Sequence, residues 1–409
     1  MSKLKRLGPG VRPGLRDGLD FIQGAAGLPT IFGQWYFCDK TSGVSTNDGK
    51  SPTSAFADIT TAYAACTSGA GDGICIISRG TSAAATTSRI TFPLVWSKHA
   101  ITVVGISSGA RKFNRARISN TEHTTGALTT LAFPSATTIT DSASGFVTAG
   151  FAVGDILRIN TTEGTNDGTS DIVTAVAAGT LTCGASSFTI QTAAAAGSTT
   201  INSFCAQLID VTGDNNHFEN VSIANHSSDA AALGSVRISG NRNNFVNVHM
   251  IGAGHATPGA VATASHLFIN GGEENNFERC SFGTSSVLWA AANAPILFDA
   301  NSWRNSFYDC DIDIYSATAG GGAIKSTDAT AIEGWQTFSK CRFKCFNPNG
   351  LTALTSAFIG TKPTSGYLLM DSCSLAGWAA WDSVGGNNTV YVANSDATAS
   401  GAGGIATTV

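Results

Sequence analysis

The chain has 409 residues, of which only 13% are charged, with a formal net charge of −4. Charged residues usually make up about 25% of a globular chain, and clustered Lys and Arg are what a nucleic-acid groove requires, so the near-neutral balance excludes a nucleic-acid partner. Hydrophobic residues reach 43%, which excludes a disordered polyelectrolyte. No uncharged apolar run is long enough to span a bilayer, so no membrane partner is expected.

In chain order, residues 1–35 come first, with Lys3, Lys5, Arg6, Arg12 and Arg16 set against Asp17 and Asp20 and broken by Gly8-Pro9-Gly10 and Pro13-Gly14. The basic start leads into Gly and Pro rather than an apolar stretch, which argues against a secretory signal. Too Gly-rich for a core of its own, this segment is expected to be an extended arm that orders on a partner. Residues 36–128 follow as the cap and first coils. Tyr36-Phe37-Cys38-Asp39 leads to Asn47-Asp48-Gly49-Lys50-Ser51-Pro52 and then to an amphipathic helix over Ala55–Cys66. Gly71–Ile77 and Ile101–Gly105 read as buried strands.

Residues 129–203 interrupt this pattern. Gly150-Phe151-Ala152-Val153-Gly154-Asp155, Asn166-Asp167-Gly168 and Val173-Thr174-Ala175-Val176 have the chemistry of hairpin turns and strands, and predict a small inserted β module.

From 204 to 409 the chain repeats. The residues at 218, 245, 277, 307, 338 and 370 (five Phe and a Met) each lead a short apolar stretch, and they lie 27, 32, 30, 31 and 32 residues apart. Paired asparagines precede several of them, fitting a tight turn and a stacked ladder. Upstream of each lies a second short strand: Leu208–Val211, Val236–Ile238, Leu267–Ile269, Ile296–Phe298, Ala323–Ile324 and Ala357–Ile359. About 30 residues per unit, built from β-branched and aromatic strands with period-two alternation, predicts an all-β chain: a single-stranded parallel β-helix. Right-handed crossovers are expected from the general rule for parallel strands.

Period two places Cys280, Cys310, Cys341 and Cys373 in one inward column. The lead Phe residues, three positions earlier, are expected to reach the core from the preceding turn. The ten cysteines include no CxxC pair, and a column separates its members by one coil, so neither zinc nor a disulfide is expected. Asp309, Asp311 and Asp313 form an outward acidic cluster that could serve a glycosidase or a calcium site. A shift of one coil, however, sets them beside Lys340, Arg342 and Lys344, with Arg279 beside Asp309. That arrangement predicts a salt-bridge ladder fixing register. The histidines at 99, 123, 217, 226, 249, 255 and 266 are scattered. No catalytic, metal-binding or cofactor-binding residue is assigned, and no cofactor is expected. Trp289, Trp303, Trp335, Trp378 and Trp381 are candidate sugar platforms, although such tryptophans more often pack.

From Tyr36 onward these motifs resemble the opening of pectate-lyase-like β-helices in bacteriophage virion proteins, and the "GFxxGD", Asn-Asp-Gly and "TAV" elements resemble a small β-barrel module of tailed-phage head and tail proteins. The resemblance implies a non-enzymatic phage virion surface protein, a capsid decoration or head fibre. It would be anchored by residues 1–35 to a capsid or other virion protein, homotrimeric, assembled in the host cytoplasm, with host surface glycan as a candidate ligand. The alternative it implies is a tailspike polysaccharide depolymerase. A cellular pectate-lyase relative is a third reading, disfavoured by the absence of a signal peptide.

Overall fold

A computed structural model describes residues 31–78, 87–90, 94–107, 115–120, 125, 128, 130–151, 153, 155–161, 165–191, 199–204, 207–227, 229–316, 318, 320–347, 354–382 and 389–395. Residues 1–30 of the expected arm, His123 and the C-terminal Ser400–Gly404 run lie outside these.

The chain is a parallel β-solenoid of about eight turns. Three sheets run its length, here called A, B and C. Through the repeats each coil passes from a C strand to an A strand to a B strand, as in Gln207–Val211, His217–Glu219 and Val221–Ala224. Every pairing within these three sheets is parallel and joins a coil to the next. The upstream strands expected from the repeat are the strands of sheet C, and the lead residues lie on sheet A.

Here the structure corrects one expectation. The lead Phe residues do not enter from a turn. Each lies within an A strand, at the centre of a three-residue one for Phe218, Phe245, Phe277 and Phe307 and next to last in Ile332–Ser339 for Phe338. A single residue in the left-handed region then turns the chain onto sheet B: Asn220 (φ 56°), Asn247 (φ 55°), Arg279 (φ 51°), Asp309 (φ 50°), Lys340 (φ 55°) and Ser372 (φ 55°). This one-residue corner lets residues three apart both face inward. Asn tolerates such a backbone more readily than Arg or Lys, for which it costs on the order of 1 kcal/mol.

Inside, the side chains stack in columns. Phe218, Phe245, Phe277, Phe307 and Phe338 form a fully buried pile with centroids 4.9, 5.0, 4.6 and 4.3 Å apart and planes within 10° of parallel. Each contributes about 1.5–3 kcal/mol by burial. Beside them runs an amide ladder. The backbone N–H and side-chain Nδ2 of Asn216 both donate to Asn243 Oδ1, at 2.9 and 3.1 Å. Asn243 does the same to Asn275, and Asn275 to Asn305. Gln336 ends the series, its Oε1 accepting both donors of Asn305 at 3.0 Å. The ladder asparagines are not the left-handed residues; that conformation falls on the residue before each, Asn215, Arg242, Glu274 and Arg304.

The amphipathic helix is shorter than expected, spanning Ile59–Ala65, because Asp58 caps it by accepting from the Thr61 N–H at 2.8 Å. Its buried face of Ile59, Ala62 and Tyr63 belongs to the solenoid core. It lies against the terminal coil, where open strand edges would otherwise recruit other chains. Trp35, the last residue of the expected arm, is buried and begins the first A strand, Trp35–Asp39.

The interruption leaves the solenoid after the B strand Ala116–Asn120 and returns at the C strand Gln207–Val211. Six strands between Leu131 and Phe204 form an antiparallel sheet. Backbone hydrogen bonds from Leu128 to Thr199 and from Thr125 to Ile201 close it upon itself. Its core is separate from that of the solenoid and includes Leu131, Phe133, Phe146, Leu157, Leu181 and Ile201.

Candidate functional site

The acidic cluster is structural. Strand register pairs Asp311 with Arg342 and Asp313 with Lys344. Arg342 reaches Asp311 at 2.7 Å and Asp309 at 3.1 Å, while Lys344 reaches Asp311 at 3.0 Å and Asp313 at 3.2 Å. The outer members depart from expectation. Lys340 donates to the Tyr308 hydroxyl at 2.9 Å rather than to Asp309, and Arg279 pairs with its neighbour Glu278.

The cysteine column is buried as expected. Each thiol donates to the carbonyl of the lead Phe one coil back: Cys280 to Phe245, Cys310 to Phe277, Cys341 to Phe307 and Cys373 to Phe338, at 3.2–3.5 Å. Burial pushes the Cys310 thiol well above its ordinary value. These thiols are small hydrophobes with a weak donor.

Two histidines, His249 and His266, are buried. His266 accepts from the Gly252 N–H at 2.9 Å and packs on Trp289 with centroids 4.4 Å apart. Burial, with His249 nearby, lowers its pKa to about 3.

Of the five candidate tryptophans, Trp289, Trp378 and Trp381 are core residues. Trp303 and Trp335 are not: they are 36% and 45% exposed, and Tyr367 and Tyr391 join them at 37% and 45%. All four project outward from sheet A, one on each of four successive coils. Strand register sets Trp335 beside Tyr367, and the Tyr367 and Tyr391 rings meet edge to face at 5.0 Å. The result is an aromatic stripe with one ring per coil, in register between Trp335 and Tyr367 and offset by two residues along the strand at each end. A strand irregularity creates it. Trp303 pairs with Glu333 while Ser306 pairs with Thr337, so the later strand holds one residue more than its partner between these points. Gly334, at φ 62°, takes up the extra length, and a Cβ there would collide with the Trp303 indole at 2.0 Å.

Two carboxylates border Trp303 in the same outward column, Glu273 on the coil before and Glu333 on the coil after. Among the described residues they are the two carboxylate side chains that make no hydrogen bond or ion pair. The neighbouring cations are already engaged. Arg242 and Arg304 both hold Glu274 at 2.7 Å, and Arg304 also lies over the Trp303 ring at 4.7 Å. No sequence signal marked the two glutamates, because the extra residue shifts Glu333 out of phase with Glu273 relative to the lead Phe.

A cavity of about 490 Å³ lies away from the stripe and is lined by Lys325, Phe358, Ile359, Lys362 and Asp382 among others. Its polar groups answer one another. Lys325 donates to the Ala262 and Ala292 carbonyls at 2.7 Å each, and Lys362 pairs with Asp382 at 3.2 Å.

No protein-family model matches the sequence, and no curated protein matches it. Among solved structures, the chain is similar to a pectin methylesterase from Aspergillus niger at 12% identity, over 90% of this chain and 86% of that one, with a TM-score of 0.45. A rhamnogalacturonan lyase is similar at 11% identity over 84% and 68% of the two chains, with a TM-score of 0.43. The tailspike of Pseudomonas phage phi297 is similar at 12% identity over 79% and 71%, with a TM-score of 0.25. These likenesses concern the β-helical course of the chain alone.

Proposed function

We propose that this chain is a non-enzymatic surface protein of a tailed-phage virion that binds bacterial surface polysaccharide along the stripe of Trp303, Trp335, Tyr367 and Tyr391. The stripe carries the reading. Soluble proteins seldom leave large aromatic side chains exposed in a row, and an aromatic face suits the C–H face of a pyranose ring while its polar edge stays wet. One aromatic per coil also offers a rise close to the length of a sugar unit. The virion setting rests on the sequence resemblance, with residues 1–35 as the anchor to a capsid or other virion protein and a homotrimer as the assembly. Deleting residues 1–30 should leave a folded solenoid that no longer joins the particle; recovery of the truncated chain on purified virions at normal copy number would reject the anchor.

One observation favours a second reading, polysaccharide depolymerase. Glu273 and Glu333 flank Trp303 on the coils before and after it, a backbone separation of about 9.6 Å, and paired carboxylates across a sugar platform are the equipment of inverting glycosidases. Incubation with a bound polysaccharide and assay of new reducing ends separates the two. Release of reducing ends that is lost in Glu333→Gln would select the depolymerase, and none would select the binding protein.

A further inference from the structure

We infer that Glu273 and Glu333 make the stripe selective for polysaccharide that presents hydroxyls, and not carboxylates, to the coils around Trp303. The inference rests on the glycan-binding reading and specifies its substrate class. Most described carboxylates of the solenoid are matched. Asp311 and Asp313 have Arg342 and Lys344, Asp210 has Arg237, and Glu274 has two arginines. Glu273 and Glu333 alone among the described carboxylates have no partner, and both lie at the exposed aromatic platform.

The cations beside them are held elsewhere. Arg242 and Arg304 converge on Glu274, and Lys340 is drawn to the Tyr308 hydroxyl and ring. The uncompensated charges offered to a ligand are therefore negative only, and a carboxylate accepts without donating. A sugar hydroxyl donates to such a carboxylate. A uronate or other acidic sugar would bring a like charge against it without a free cation to answer, and repulsion of this kind is how a surface rejects a wrong partner. Neither glutamate side chain makes a hydrogen bond or ion pair within the fold, so removing its charge by Glu→Gln leaves stability unchanged.

The test uses the intact protein and an array of acidic bacterial surface polysaccharides, each printed in native and in carboxyl-reduced, neutral form. On the backbones that are bound, the neutral form should bind at least about fivefold more tightly at low salt, with the gap closing as salt screens the repulsion. Glu273→Gln/Glu333→Gln should close the same gap at low salt by strengthening binding to the acidic form, with an unchanged melting temperature. Equal or tighter binding of the native acidic forms by the unaltered protein would overturn the inference. So would a double variant that keeps the gap. Trp335→Ala separates the two readings: binding undiminished by this change would reject the stripe as the site, whereas binding that falls with Trp335 but ignores the glutamates would reject only the selectivity. Failure to bind any form would reject both.

Discussion

Arg342 grips Asp311 through two hydrogen bonds, from Nε at 2.7 Å and Nη2 at 3.2 Å, across a coil boundary where strand register places the two residues side by side. The pair is part-exposed, so its worth is small, about 0.2–1 kcal/mol. Its value lies in discrimination, because a one-residue slip would turn every inward side chain of that coil outward. Replacing Asp309, Asp311 and Asp313 together with Asn should cost no more than about 2 kcal/mol in denaturant titration. The same three positions as Lys would face Arg342 and Lys344 with like charge and should cost clearly more. Equal losses would show that charge does not set the register.

The amide ladder should be far less forgiving. Asn275 is fully buried and receives two hydrogen bonds from Asn243 while giving two to Asn305. Asn275→Leu would strand buried donors on one side and a buried acceptor on the other, at about 1–3 kcal/mol for each unsatisfied group. A loss of at least about 3 kcal/mol in denaturant titration is expected, against less than about 1 kcal/mol for an exposed Asn→Ala change away from a turn.

Acid should weaken the fold through His266. Its pKa is about 3 in the folded chain, against about 6.5 when unfolded. As pH falls below about 6.5 the unfolded chain takes up a proton that the folded core refuses until about pH 3. Stability is thus full above about pH 6.5 and declines below it by about 1.4 kcal/mol per pH unit. His266→Asn keeps an acceptor for the Gly252 N–H without the titration. The variant should show a shallower decline in melting temperature than the parent between pH 6.5 and 4.5, and parallel curves would contradict this.

The buried thiols should be inert. Burial raises Cys66 and Cys183 to about 12 and Cys345 to about 11, and the column from Cys280 to Cys373 is closed to solvent. Mass spectrometry after brief alkylation of the native protein should find Cys280, Cys310, Cys341 and Cys373 unmodified, and all four modified after denaturation. Native labelling of two of them would contradict the inward column.

The solenoid, its coil length, the cysteine column and the charge ladder were legible in the sequence, because each repeats at the coil period and a repeating pattern fixes which face a residue takes. What escaped depended on breaks in that period. Glu273 lies four residues before Phe277, but Glu333 lies five before Phe338. The extra residue at Gly334–Trp335 that puts Glu333 beside Trp303 also hid the relationship. Tyr367 and Tyr391 likewise stand at different distances from their lead positions. The turn chemistry misled for another reason: the left-handed corners fall on Arg279, Asp309 and Lys340, residue types that give no turn signal of their own. Trp289, Trp378 and Trp381 shared a residue type with Trp303 and Trp335, and only packing separates the core members from the exposed ones.

The central claim is that the exposed aromatic stripe is the ligand-binding surface. Its most direct measurement is binding of the intact protein, and of Trp335→Ala and Tyr367→Ala, to immobilised bacterial surface polysaccharide. Each variant removes an exposed ring, so the melting temperature should move by no more than a few degrees. Stacking lost from one ring should weaken binding about tenfold, and the double variant should reduce it to background. Binding by the double variant that equals that of the unaltered protein would contradict the account.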